Sequence, residues 1–96
     1  MSFDYQEAFS RNLGWVTRAE QERLRGCRVA LAGLGGVGGS HLTTLTRLGV
    51  GAFTIADFDR FELPNFNRQA GASVATLGHE KLAVMSAAAA AINPEV

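Results

Sequence analysis

The sequence predicts an α/β fold in which a parallel β-sheet is flanked by helices. Three observations carry that prediction. Arg28-Val29-Ala30-Leu31-Ala32 is a near-continuous apolar run of strand length, the pattern of a strand covered on both faces. Leu42, Leu45, Leu48 and Val50 then recur at helical spacing. Phe53-Thr54-Ile55-Ala56 is aromatic and β-branched and reads as a second strand. Strand, helix and strand in succession form the crossover unit that joins parallel strands.

The elements follow in order. Thr17-Arg18-Ala19-Glu20 has the spacing of a capping box, in which threonine oxygen and glutamate carboxylate satisfy backbone donors at a helix start. A short helix is expected from there to about Arg25, stopped by Gly26. The helix between the strands should be ended by Gly49 and Gly51, and Asp57 sits at the carboxyl end of the second strand. Arg60 to Gly78, with Pro64, Asn65, Asn67, Gly71 and few apolar residues, reads as a long loop holding one helical turn. Loops of that length in compact domains are often functional. His79 to Ile92 is expected to be helical through its alanines, with Asn93-Pro94 as the stop. Its small side chains suit close packing on the sheet or on a neighbouring subunit.

The organisation expected is a helical N-terminal segment over 1–26 and a partial nucleotide-binding domain over 27–96. At Val96 a doubly wound fold would still need a third strand, so a sheet of two parallel strands with an exposed edge is expected. Nine basic and nine acidic side chains cancel, which removes the positive field of a protein that holds nucleic acid through its phosphates. Cys27 is the single cysteine, so no internal disulfide or CxxC metal pair can form, and a reducing, cytoplasmic home fits. The longest apolar run, Leu82 to Ile92 with Ser86 inside it, has eleven residues, about half of a membrane span.

Gly33, Gly35 and Gly38 form a G-x-G-x-x-G turn between the first strand and the helix. The first two glycines allow a tight turn and close backbone approach, the third lets helix and strand pack, and the amides at the helix start face an anion. Asp57 stands 24 residues after Gly33, where an acid can accept hydrogen bonds from ribose hydroxyls, an arrangement equally suited to NAD. Asp59 is two residues further on, on the same side of an extended segment, so the pair could approach a hydrated magnesium ion. Asn65-Phe66-Asn67-Arg68-Gln69 offers amides and a guanidinium fork suited to triphosphate oxygens rather than a nicotinamide ring. Lys81 adds a positive point charge at a helix start that already favours anions.

Taken together, Gly33-Leu34-Gly35-Gly36-Val37-Gly38, Asp57-Phe58-Asp59, Asn65 to Gln69 and Gly78-His79-Glu80-Lys81 resemble the ThiF/MoeB/HesA family, relatives of the ubiquitin-activating enzymes. The resemblance runs from about Arg11 to Pro94 and implies a Rossmann-like fold, here its first β-α-β-α portion. It implies ATP and magnesium as cofactors, and adenylation of a carboxylate, usually the C-terminus of a ubiquitin-like or sulfur-carrier protein, by a homodimer. By position Gly36 would approach the nucleotide and Asp57 would hold the ribose, while Asn65, Arg68 and Lys81 would bind phosphate and Arg11 would enter the partner's site. The family's magnesium-holding acid and its crossover loop would fall after Val96, so these residues alone are not expected to adenylate. Cys27 is expected to be a structural thiol, and His41 and His79 packing or surface residues. Three other readings remain: a dehydratase of the same family acting on a modified tRNA nucleoside, an NAD-dependent oxidoreductase, and a non-catalytic nucleotide-binding scaffold.

Overall fold

The two strands form where the apolar runs place them. In the computed structural model, which describes residues 2–96, β1 (Arg28–Ala32) runs parallel to β2 (Ala52–Ala56), with Arg28 opposite Ala52 and Ala32 opposite Ala56. Ahead of them lie α1 (Tyr5–Ala8), a 3-10 turn at Ser10–Asn12 and α2 (Arg18–Arg25); α3 (Val37–Leu48) joins the strands. A second 3-10 turn at Leu63–Asn65 breaks the loop after β2, and α4 (Lys81–Ile92) follows.

The expected punctuation is present. Thr17 caps α2: its side-chain oxygen accepts from the Glu20 amide at 3.1 Å, and the Glu20 carboxylate accepts from the Thr17 amide at 2.8 Å. Gly26 follows α2, and Gly49 ends α3, its amide donating to the carbonyls of Leu45 and Thr46. α4 begins at Lys81 rather than His79 because the preceding backbone is used elsewhere. Phe61 N–H donates to the His79 carbonyl, Gly78 N–H to the Phe61 carbonyl, and Lys81 N–H to the Asp59 carbonyl. These bonds and the Arg60–Glu80 bridge hold the entry to α4 extended against the loop after β2.

The core is one cluster of Leu34, Leu42, Phe61, Met85 and Ala89, with Leu31, Phe53 and Ile55 of the sheet packed against it. α3 and α4 therefore cover the same face of the sheet and pack on each other, Ala89 of α4 lying buried in the cluster. The opposite face is open. Arg28, Ala30 and Ala32 of β1, and Thr54 and Ala56 of β2, are exposed. Along β1 the residues alternate between exposed and half-buried.

The N-terminal segment is fastened to the C-terminal end of α3, a contact without a sequence signature. Asp4 caps α1 by accepting from the amides of Gln6 and Glu7. The next residue, Tyr5, is buried, and its hydroxyl donates to the Gly49 carbonyl at 2.5 Å. Gln21 Nε2 donates to the Tyr5 hydroxyl and to the Leu48 carbonyl, both at 3.0 Å, and Asn12 Nδ2 donates to the same carbonyl at 3.1 Å. Burial pushes the Tyr5 phenol above its ordinary pKa. Tyr5→Phe leaves Gln21 and the Gly49 carbonyl short of a partner and should cost about 1–2 kcal/mol of unfolding free energy. Urea denaturation measures it, and an unchanged midpoint would contradict a stabilising role for the network.

Candidate nucleotide site

The site begins where the ladder between the strands runs out. Gly33 N–H, just past β1, still donates to the Ala56 carbonyl at 2.7 Å. The next amide, Leu34 N–H, has no strand carbonyl to meet and donates instead to Asp57 Oδ2, also at 2.7 Å. Asp57 Oδ1 accepts the Asp59 amide at 2.8 Å. Partial burial would raise the Asp57 carboxyl, but the Leu34 and Asp59 amides and the charge of Lys81 outweigh it and hold its pKa below the ordinary value. Asp57 thus ties the end of β2 to the glycine turn, a structural task that the sequence did not announce. A carboxylate oxygen has a second lone pair, so both oxygens can still accept a hydroxyl.

Three glycines of the turn are required by its shape, the first being Gly33 with φ of +92°. Gly36, which precedes α3, has φ of +54°, in the left-handed region. At Gly38 a Cβ would overlap the Gly33 carbonyl oxygen, so α3 leaves the turn as close to β1 as backbone allows. No side chain caps α3, and its first-turn dipole faces the crevice at the carboxyl ends of the strands.

Lys81 comes to the turn from the other side. It is 6% exposed, its Nζ stands 5.7 Å from the centre of the buried Phe61 ring, and none of the ion pairs among the described residues includes it. The lysine Nζ lies 3.1 Å from where a Cβ on Gly35 would be, and Gln69 Nε2 lies 3.2 Å from the same point. Beside them a polar cleft of about 190 Å³ is lined by Asp59, Arg60, Glu62, Asn65 and Lys81.

The sequence-predicted residues divide accordingly. Gly35, Gln69 and Lys81 meet, and Asp59 and Asn65 share the cleft with Lys81. Asn65 Oδ1 is already engaged, accepting the Glu62 amide at 2.8 Å. Arg68 is not drawn into the cleft: its guanidinium bonds the Pro64 carbonyl at 3.0 Å and Asn67 Oδ1 at 3.1 Å, within its own loop. Arg11 lies beside Asn12, which is bonded to the last residue of α3. A helix of that length separates it from the turn by about 18 Å, more than one side chain spans. Cys27 is exposed at the amino end of β1, away from the turn, and His41 and His79 are exposed. No three His, Cys, Asp or Glu side chains gather as a metal cage among the described residues. Phe61, the aromatic floor beneath Lys81, was missed; nothing in the sequence separates it from Phe58 and Phe66 beside it, both of which are exposed.

The ThiF family model matches residues 9–96. The chain belongs to the ThiF family. It is 40% identical over 87 residues to the tRNA threonylcarbamoyladenosine dehydratase of Bacillus subtilis, covering 91% of this chain and 34% of that protein. To the molybdopterin-synthase adenylyltransferase of Escherichia coli it is 41% identical over 76 residues, covering 79% and 30%. The Escherichia coli tRNA N6-threonylcarbamoyladenosine dehydratase, solved in complex with ATP, superposes with a TM-score of 0.93 at 30% identity, over 98% of this chain and 39% of that one. The Rossmann-like α/β class is shared with these ThiF-family structures. The chain spans about a third of the length of the curated relatives it matches.

A carboxyl held below its unfolded pKa adds stability that is fully present above that value, about pH 4, and is lost as the pH falls through the lower folded value. Asp57→Asn should therefore be less stable than the wild type near neutrality and approach it on acidification. Urea denaturation across that pH range measures the difference, and a gap independent of pH would sink the assignment.

Proposed function

We propose that this ThiF-family chain is the ATP-binding portion of an enzyme that adenylates a carboxylate. The observation that carries the reading is Lys81, whose side chain packs over Phe61 and is largely buried while it also lines the polar cleft beside the glycine turn, outside every ion pair among the described residues. An ammonium at a polar cleft with no paired carboxylate is open to a charge-assisted bond from an anion, and the triphosphate is the partner that its place at the strand ends suits. The carboxylate oxygen attacks the α-phosphorus, the bond to the β-phosphate oxygen breaks, and pyrophosphate leaves with the electron pair. Lys81 and the first amides of α3 would stabilise the charge that gathers on the leaving group. Asp57 would accept the ribose hydroxyls with its remaining lone pairs. Asp59, exposed on the cleft that Lys81 also lines, is the carboxylate of this chain suited to a magnesium ion carried by the phosphates. Asn65 and Arg68 would turn from their own loop toward the phosphates when these arrive.

Two carboxylates are in view, each with support. The C-terminus of a ubiquitin-like or sulfur-carrier protein is supported by the likeness to the molybdopterin-synthase adenylyltransferase. A carboxylate on a modified tRNA nucleoside is supported by the reach of the dehydratase likeness, which takes in nearly the whole chain, N-terminal segment included. Exchange of labelled pyrophosphate into ATP by the full-length parent separates them: dependence on a carrier protein selects the first, dependence on tRNA the second. Lys81→Met should lower exchange by roughly 100-fold or more, and Arg68→Ala should lower it too. Tight NAD binding without exchange would overturn the adenylation reading.

Arg11 is too far from its own turn, so it would serve the site of a partner copy in a homodimer. Arg11→Ala and Lys81→Met, each impaired alone, should regain part of the exchange activity when mixed, because a mixed dimer contains one complete site. No recovery after subunit exchange would rule out the arrangement.

A further inference from the structure

Arg11 is exposed and enters none of the ion pairs among the described residues, yet the backbone that carries it is firmly held. It lies in the 3-10 turn Ser10–Asn12 between α1 and α2. Asn12 does the holding. Its amide donates to the Phe9 carbonyl and its carbonyl accepts the amides of Trp15 and Val16, all at 3.1 Å. Its side chain then leaves the turn: Nδ2 donates to the Leu48 carbonyl at 3.1 Å and to Gln21 Oε1 at 3.2 Å.

Both acceptors are themselves fixed. Leu48 is the last residue of α3, and its carbonyl has no donor within the helix. Gln21 is 6% exposed, with Nε2 bonded to the Tyr5 hydroxyl and to the same Leu48 carbonyl. The position of the Arg11 turn is therefore set by α3. A 3-10 turn of three residues has little stability of its own, and a backbone ordered in advance lowers the entropic cost of seating its side chain in another molecule. The same turn leads to Trp15, which is 91% exposed. Indole rings and guanidinium groups are the side chains that most often anchor protein interfaces, and here the two stand four residues apart on one braced segment.

We propose that Asn12 is a positioning residue whose side chain, bonded to the end of α3, aims Arg11 out of its own subunit and into the site of a second copy. The inference rests on the homodimer reading above and adds to it the residue that sets where the guanidinium arrives. Arg11 acts on the other copy's nucleotide; Asn12 acts only on the Leu48 carbonyl and Gln21 of its own chain. Because α3 starts at the glycine turn and ends at that carbonyl, one helix fixes both the site a subunit owns and the arginine it lends.

Pyrophosphate exchange by the full-length parent tests this with Arg11→Ala, Asn12→Ala and the double variant. Asn12→Ala should lower exchange roughly tenfold. Added to Arg11→Ala it should lower it no further, because an arginine that is gone cannot be misaimed. Losses that multiply would overturn the proposal, as would full activity in Asn12→Ala. Mixing subunits gives a second readout. Asn12→Ala mixed with Lys81→Met should regain activity, since one site of the mixed dimer keeps its lysine and receives a correctly aimed arginine. Recovery with Arg11→Ala but not with Asn12→Ala would overturn the inference alone, showing that Asn12 serves only its own subunit. No recovery in either mixture would overturn the homodimer reading and the inference with it. Should Asn12→Ala fail to fold, Asn12→Ser, which keeps a shorter donor, carries the same comparisons with a smaller loss expected.

Discussion

The hydrogen bond from Leu34 N–H to Asp57 Oδ2 is the constraint on which the site depends. Parallel strands end with amides that their ladder cannot satisfy, and a buried amide left open is expensive. Here the first such amide is taken by the first side chain past the end of the neighbouring strand. The tie holds the glycine turn over the end of β2, so that the start of α3, the loop after β2 and the start of α4 open on one crevice. The same carboxylate fixes the Asp59 backbone, whose carbonyl in turn accepts the Lys81 amide. One side chain thereby connects the turn to the lysine that faces it.

Packing serves the same arrangement. Phe61 anchors the loop in the core beside Met85, and Gly71 lets the chain pass so close that a Cβ there would lie 2.7 Å from both side chains. The aromatic ring denies Lys81 a polar surface on that side, and Gln69 closes another. The ammonium is therefore directed over Gly35. The N-terminal segment is fastened at the far end of α3, which keeps Arg11 away from this crevice while leaving it exposed to another molecule.

Features set by local chemistry were legible in the sequence. The Thr17–Glu20 capping box, the bounds of β1, the glycine that ends α3 and the acid at the end of β2 each follow from interactions among near neighbours. Features set by distant parts of the chain were not. Nothing near Tyr5 reveals that its hydroxyl meets Gly49, 44 residues away. The start of α4 moved two residues because the loop after β2 claims the backbone of Gly78 and His79. Within the site, residue types named the chemistry, but only the fold could separate Lys81 and Gln69, which converge, from Arg68, which folds back on its loop.

A crystal structure of the full-length parent with a non-hydrolysable ATP analogue tests the central claim most directly. The account predicts a β- or γ-phosphoryl oxygen within hydrogen-bonding distance of Lys81 Nζ, above Gly35. A structure in which Lys81 instead pairs with a carboxylate from elsewhere in the parent, with the triphosphate bound away from the glycine turn, would contradict it.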